Sequence, residues 1–309
     1  MTHLLDSSRI QRIRPLVALL FGALCLTVSA NLHASIINEW EPLDTEATLP
    51  KPAIVIQPGQ NWRDPMSEAN LLWIAGGCYE MGSPPRAEGR ESDEGPVHQE
   101  CVNGYWLGET EVTQGQWRRV MHNNPSRFRK GESYPVENVT REEVNEFIAQ
   151  LNSRARINVQ FRLPTEAEWE FACRNAGQRI IYPGGSDPTR FGWFSANSNG
   201  TTQPVGLRPA NQLGLKDMSG NVWEWVQDRY QSNYSKSAQA LASNTAGAEF
   251  FTIRGGGWQD ETHSLRCANR GFQSLNSRRP DLGVRLAASV KVKEKKSGSR
   301  PTDSKRIPF

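Results

Sequence analysis

The sequence predicts a single large exported domain that mixes helices with strands and leaves much of its chain irregular. Its 309 residues, 37% of them hydrophobic and 9% aromatic, suffice to bury a sizeable core. Capping-box patterns mark the starts of three helices, set among short apolar stretches that suggest strands. Beyond Arg174, Gly, Asn, Pro and aromatic residues dominate without a clear period, and a chain of that kind needs staples to stay ordered.

At the N-terminus, Arg9, Arg12 and Arg14 precede an apolar run from Leu16 to Ala30. Small residues then close the pattern at Val28-Ser29-Ala30 and Leu32-His33-Ala34, which reads as a secretory signal peptide over residues 1–34. The run is shorter than the ~20 residues a transmembrane helix needs. Cys25 follows Leu24 instead of Gly or Ala, so it does not resemble an acylation site. Residues 35–70 carry scattered Pro and Gly with little periodicity and read as a linker or N-terminal strap. The main domain is expected over residues 71–289. The end, 290–309, is strongly basic and reads as a solvated, disordered tail. Leader and tail carry the positive excess behind the formal charge of +3, so the body is acidic, which argues against a nucleic-acid partner.

Between Leu71 and Val112, "LLWIAGGCYEM" and "YWLGETEV" suggest strands on either side of a polar excursion from Ser83 to Gly95. Thr113 with Gln116, Thr140 with Glu143, and Thr165 with Glu168 are the three capping boxes. After the second, Val144, Phe147, Ile148 and Leu151 make one apolar helix face that should pack on the core. Four cysteines survive removal of the leader: Cys78, Cys101, Cys173 and Cys267. An even number without a CxxC pair, in an oxidising compartment, favours two disulfides over metal ligation. Four cysteines permit three pairings, and the placement of Cys78 and Cys101 on neighbouring strand-like stretches favours joining those two.

No HExxH, GxSxG, P-loop or Rossmann glycine pattern occurs, and His98, His122 and His263 lie far apart in the sequence. The stretch "GLKDMSGNVWEWV", Gly214 to Val226, holds more chemistry. Side-chain oxygens of Asp217 and Glu224, with carbonyls of Gly220 and Val222 turned inward, would suit calcium, a hard cation that takes several oxygen ligands. The alternative is that both acids are ordinary turn and surface carboxylates.

Seven stretches in order, "EVTQGQWRRVMHNNPSRF", "YPVENVTREEVNEF", "RLPTEAEWEFACR", "NQLGLKDMSGNVWEWV", "RGGGW", "LRCANRGF" and "DLGVRLA", resemble the formylglycine-generating enzyme (sulfatase-modifying factor) family. The resemblance covers about Leu71 to Ala288. It implies an α+β fold of the C-type-lectin-like kind with little regular secondary structure. It also implies calcium at Asp217, Gly220, Val222 and Glu224, a second calcium site near Asn197, and a disulfide between Cys173 and Cys267 that leaves Cys78 for Cys101.

Enzymes of this family hold copper with two thiolates just after a glycine-rich turn. Here the turn reads "GGGWQDETHSLRC", with Asp260 at the first thiolate position and Thr262 and His263 around the second. A carboxylate does not replace a soft thiolate on copper(I). The resemblance therefore implies a member without the family's oxidative chemistry and without catalytic residues. Exported bacterial members of two kinds fit that description. One is a non-catalytic periplasmic regulator that binds the extracytoplasmic domain of a membrane protein, such as a Ser/Thr kinase, in threonine-phosphorylation signalling to type VI secretion. The other is a periplasmic maturation enzyme, acting on a siderophore or a protein, that uses Asp260, His263 or a bound cofactor. On the first reading, Trp258, Asp260 and His263 would offer the partner-binding surface in the emptied groove.

Overall fold

The computed structural model describes residues 55–154, 157–234 and 249–291, all inside one of the two compact units into which the chain divides, Pro50–Phe309. The signal peptide, most of the strap and the tail beyond Lys291 lie outside the described residues.

Eleven short strands and four helices make up the described regular structure, in the order β1 (Trp62–Arg63), β2 (Asn70–Ile74), β3 (Gly77–Met81), β4 (His98–Val102), β5 (Tyr105–Gly108), α1 (Gln114–Met121), α2 (Arg141–Arg154), β6 (Val159–Arg162), α3 (Glu166–Cys173), α4 (Pro188–Phe191), β7 (Trp223–Arg229), β8 (Phe250–Arg254), β9 (Gly271–Ser274), β10 (Leu282–Val284) and β11 (Ala287–Val290). One sheet runs β1-β2-β5-β11-β6, a second β10-β7-β8-β9, and β3 pairs with β4 alone.

The three expected helix starts are present. Thr113 caps α1 and shares a capping box with Gln116, and Thr165 does the same with Glu168 for α3. At α2, the Glu143 amide donates to Thr140 Oγ1, and the Thr140 amide donates back to the Glu143 carboxylate. Trp117 of α1 stacks on Phe147 of α2 at 4.8 Å, which joins the two helices over the core formed with β6 and the second sheet. The domain begins earlier than residue 71. β1 pairs with the start of β2, and Ile56 is buried while exchanging two hydrogen bonds with the Asn158 side chain. Backbone pairing thus makes the later part of the strap a piece of the domain.

Helix α3 is buried along nearly its whole length, including Glu166, Glu168 and Glu170. Each acid meets an arginine from elsewhere. Arg270 forks onto Glu166 at 2.6 and 2.9 Å, Arg162 onto Glu168 at 2.6 and 2.7 Å, and the fully buried Arg254 reaches Glu170. Burial alone would raise the Glu166 carboxyl, but the Arg254 and Arg270 guanidinia outweigh it and hold it below the ordinary carboxylate range.

Both disulfides form. Cys78 faces Cys101 in register across β3 and β4, and Cys173 at the end of α3 joins Cys267, closing a separation of 94 residues within the second core cluster. Replacing Cys173 and Cys267 together by Ala is expected to lower the unfolding free energy by about 2–5 kcal/mol, read from urea denaturation. A variant as stable as the parent would show that buried packing alone holds this end of α3.

Candidate functional site

The alternation of β7 sorts the residues of "NVWEWV". Trp225 enters the main core and donates its indole N–H to the Val139 carbonyl at 3.2 Å, while Glu224 points the other way. There Glu224 accepts from Arg285 Nη2 at 2.7 Å and Nε at 3.0 Å, and from the Trp169 indole at 2.6 Å. Arg285 is itself fully buried and donates further to the carbonyls of Gly108, Lys216 and Asp217. Upstream the chain turns through left-handed conformations at Asp217 (φ 56°), Gly220 (φ 77°) and Asn221 (φ 62°). A Cβ on Gly220 would lie 2.0 Å from the Trp193 carbonyl oxygen, so only glycine fits.

The residue that clamps this turn comes from far away in the sequence. Glu111, fully buried, accepts from the Val222 amide at 3.0 Å and from the Asn221 side chain at 2.7 Å. Burial, with the charges of Asp217 and Glu224 added, pushes its carboxyl well above the ordinary range. Burial likewise lifts Asp217 to about 6, although the Gly206 amide donates to its Oδ2 at 2.6 Å. Nothing in "GETEVT" marks Glu111 as different from its neighbours, because its partners lie about 110 residues away.

Asp217 and Glu224 are therefore not surface carboxylates: both lie buried inside the fold. Both Glu224 oxygens are taken by a guanidinium and an indole, and Asp217 Oδ2 by an amide. Only the buried Asp217 Oδ1 has no partner. Asn197 is likewise used locally: its Oδ1 accepts from the Phe194 amide, and its Nδ2 donates to the Gly192 carbonyl. Among the described residues, no three His, Cys, Asp or Glu side chains converge in a group that could hold a metal ion. Arg285 and Lys216 both bring positive charge to Asp217.

The glycine turn after β8 positions the other expected residues. Asp260 Oδ2 accepts from the Gly257 amide at 2.9 Å and from the Trp223 indole at 2.6 Å, so this carboxylate ties the turn to β7. Burial raises its pKa. Trp258 is half-buried, donates to the Pro280 carbonyl, and meets the Phe128 ring edge-on at 5.5 Å. His263 is exposed in the 3-10 turn Thr262–Leu265, and its carbonyl accepts from Arg266, whose guanidinium leads to Glu94 and the Gly89 carbonyl. Trp258 and Asp260 thus belong to one constellation, while His263 faces the Ser83–Gly95 loop. All four cysteines among the described residues are disulfide-bonded.

Beside Trp223 a cavity of about 360 Å³ opens, walled by Asp93, Trp223, Tyr230, Asn269, Arg270 and Phe272. Its volume lies within the range of ligand pockets. Phe272 is 46% exposed and stacks on Tyr230 at 4.4 Å, giving the mouth an aromatic rim.

The match to known proteins follows the same residues. A family model described as the sulfatase-modifying factor enzyme 1-like domain matches residues 58–290. "Chaperone protein LppX" of Paenibacillus barcinonensis is 29% identical over 238 residues, which cover 61% of this chain and 81% of that protein. "Serine/threonine-protein kinase pkn1" of Chlamydia caviae is 30% identical over 251 residues, covering 72% of this chain but only 38% of its own length. Among solved structures, PvdO from Pseudomonas aeruginosa superposes with a TM-score of 0.66 at 25% identity, over 76% of this chain and 100% of that one. These likenesses, with short strands and few helices, show the formylglycine-generating-enzyme-like α+β fold.

Proposed function

Because the chain belongs to the family of sulfatase-modifying factor enzyme 1-like domains, we propose that it is a non-catalytic periplasmic regulator. On this reading it binds the extracytoplasmic domain of a membrane Ser/Thr kinase and promotes the threonine-phosphorylation signalling that activates type VI secretion. One observation carries the non-catalytic reading: the described domain offers no free thiolate. Its four cysteines are spent on disulfides, and Asp260 is held by the Gly257 amide and the Trp223 indole. A hard, hydrogen-bonded carboxylate supplies no soft ligand for copper(I). The two disulfides suit an oxidising compartment, in line with periplasmic residence. The kinase side draws support from the stretch of a protein named as a Ser/Thr kinase that resembles this domain. The aromatic constellation around Trp258 and Trp223 supplies the kind of side chains that anchor protein interfaces.

The test pairs chemistry with signalling. Purified protein given copper, oxygen and a cysteine-containing sulfatase peptide is expected to make no formylglycine. Deleting the gene is expected to abolish threonine phosphorylation by the kinase and type VI secretion, both restored by the wild-type gene. Formylglycine production, or unchanged phosphorylation in the deletion strain, would end this reading.

The family resemblance leaves a second reading, a periplasmic oxidative maturation enzyme for a siderophore or a protein. It would use Asp260, His263 or a bound cofactor; Asp260 holds the Trp223 side, and His263 faces the loop beyond Arg266. Accumulation of an unmatured siderophore in the deletion strain, with secretion intact, would select it.

A further inference from the structure

The segment between α1 and α2 holds unspent positive charge on a fixed frame. It is irregular but tightly tied. Gln114 Nε2 donates to the Phe128 and Pro135 carbonyls at 2.9 and 3.2 Å, Asn124 Nδ2 donates to Gln114 Oε1 at 2.8 Å, and Glu137 Oε1 accepts from the Phe128 amide at 2.7 Å. Outward this frame presents Arg127, Arg129 and Lys130, all exposed. Cations on and around it are otherwise paired: Arg118 with Glu132, Arg119 with Glu68, Arg278 with Glu143 and Arg279 with Asp281. Arg127 and Lys130 instead meet the Phe128 ring, each at 6.0 Å, and Arg129 donates Nε to the Ser126 carbonyl at 3.1 Å. Among the described residues none of these three forms an ion pair. Glu137 feels the charge of Arg127, but that carboxyl is buried and lifted to about 7, so it does not occupy the guanidinium.

The cations share one neighbourhood. Arg127 and Lys130 both flank Phe128, so they stand at most twice that 6.0 Å apart, a span that about four extended residues cover. Phe128 meets Trp258 edge-on at 5.5 Å, which joins this charge to the aromatic side chains of the glycine turn. Lipid-binding clusters use about four to eight cations beside a membrane. Here there are three, and no large hydrophobic side chain of the segment is exposed for insertion. A chain bearing several carboxylates suits them better: its charges pair with the cations, and its apolar carbons lie on the rings. Because the frame is already ordered, little entropy is lost in docking.

We propose that Arg127, Arg129 and Lys130 dock an acidic segment of a partner protein against Phe128 and Trp258. The inference rests on the partner-binding reading and deepens it by naming the chemistry of what the Trp258 surface receives. Charge of this kind speeds encounter and sets register, so binding should depend on salt.

The test uses the isolated protein and labelled hexapeptides, followed by fluorescence anisotropy. Hexaglutamate is expected to bind saturably, at least tenfold tighter than hexaglutamine, and more weakly as sodium chloride rises from about 50 to 300 mM. Replacing Arg127, Arg129 and Lys130 together by Gln should weaken hexaglutamate at least tenfold. All three side chains are exposed, so the variant should keep its fold, as circular dichroism would check. A second triple variant, Arg86→Gln, Arg179→Gln and Arg190→Gln, removes the same charge from exposed positions elsewhere and should bind as the parent does. Equal binding of the two peptides, equal losses in the two variants, or full binding by the first variant would overturn the proposal. So would retention by phosphatidylglycerol vesicles that the first variant loses, with no binding of hexaglutamate, since a lipid surface would then be the ligand. No kinase enters these measurements, so their failure would leave the signalling test above standing.

Discussion

Raising the pH from 5 to 8 is expected to lower the unfolding free energy by about 3–5 kcal/mol, an unusual direction for a protein rich in ion pairs. The cause is a set of carboxylates buried without full compensation. Burial pushes Glu137 up to about 7, against the Phe128 amide that donates to its Oε1; the other oxygen, Oε2, is buried and has no partner. Burial also lifts Asp228 and Asp217 to about 6 each, and Glu111 rises well above its ordinary value. In the unfolded chain these groups ionise near 4. Between about pH 4 and 7 the folded protein therefore holds protons that the unfolded chain has released, so stability falls as pH rises through the folded values. A two-unit shift is worth ~2.7 kcal/mol, but Asp217 and Glu111 titrate as a pair, which keeps the total below the plain sum. Glu94, Glu143 and Glu166 work in the opposite sense, held low by Arg266, Arg278, Arg254 and Arg270, and their contribution is lost below about pH 4.5. The optimum should lie near pH 5. Urea unfolding at unit intervals from pH 4 to 8 reads the profile, and Glu137→Gln should flatten part of its slope. Stability that stays level or rises from pH 5 to 8 would contradict the assignment.

The parts of this molecule visible in the sequence are those whose partners lie close along the chain. The capping boxes span three residues, and all three helices begin where Thr113, Thr140 and Thr165 place them. Cys78 and Cys101 sit on strands that form their own hairpin, so their pairing could be read from position. Cys173 and Cys267 are 94 residues apart, and only the family resemblance joined them. The acids of "TEAEWEF" look like a solvated helix face because their arginines come from β6, β8 and the segment before β9. The candidate cavity was hidden for the same reason: Asp93 and Tyr230, whose hydrogen bond fixes one wall, are 137 residues apart. Trp258 and Asp260 lie on the same glycine turn, whereas the turn Thr262–Leu265 turns His263 toward the segment around Gly89, a placement that its spacing from Asp260 does not reveal.

Arg285 should matter strongly to folding. Its guanidinium faces three buried acids, Glu111, Asp217 and Glu224, and it also donates to three main-chain carbonyls. Replacing it by Met is expected to cost about 3–5 kcal/mol, the usual loss when one partner of a buried pair is removed and its charge stranded. Because such a loss approaches the whole stability of many domains, the variant is expected to accumulate poorly. A double variant that also carries Glu224→Gln supplies the control. With one stranded charge removed, it should regain more than ~1 kcal/mol over Arg285→Met alone, the mark of an electrostatic cause. Chelation with EDTA tests the calcium expectation separately: an ion held by Asp217, Glu224 and the carbonyls of Gly220 and Val222 would lower the melting temperature when it is removed. A ligand at about a hundred times its dissociation constant adds ~2.7 kcal/mol, so a structural calcium ion could not escape notice on chelation. A fall in melting temperature with EDTA, reversed by calcium, would show that Glu224 exchanges Arg285 for the ion. Unaltered stability of Arg285→Met would show that the three acids are protonated as folded and need no counter-charge.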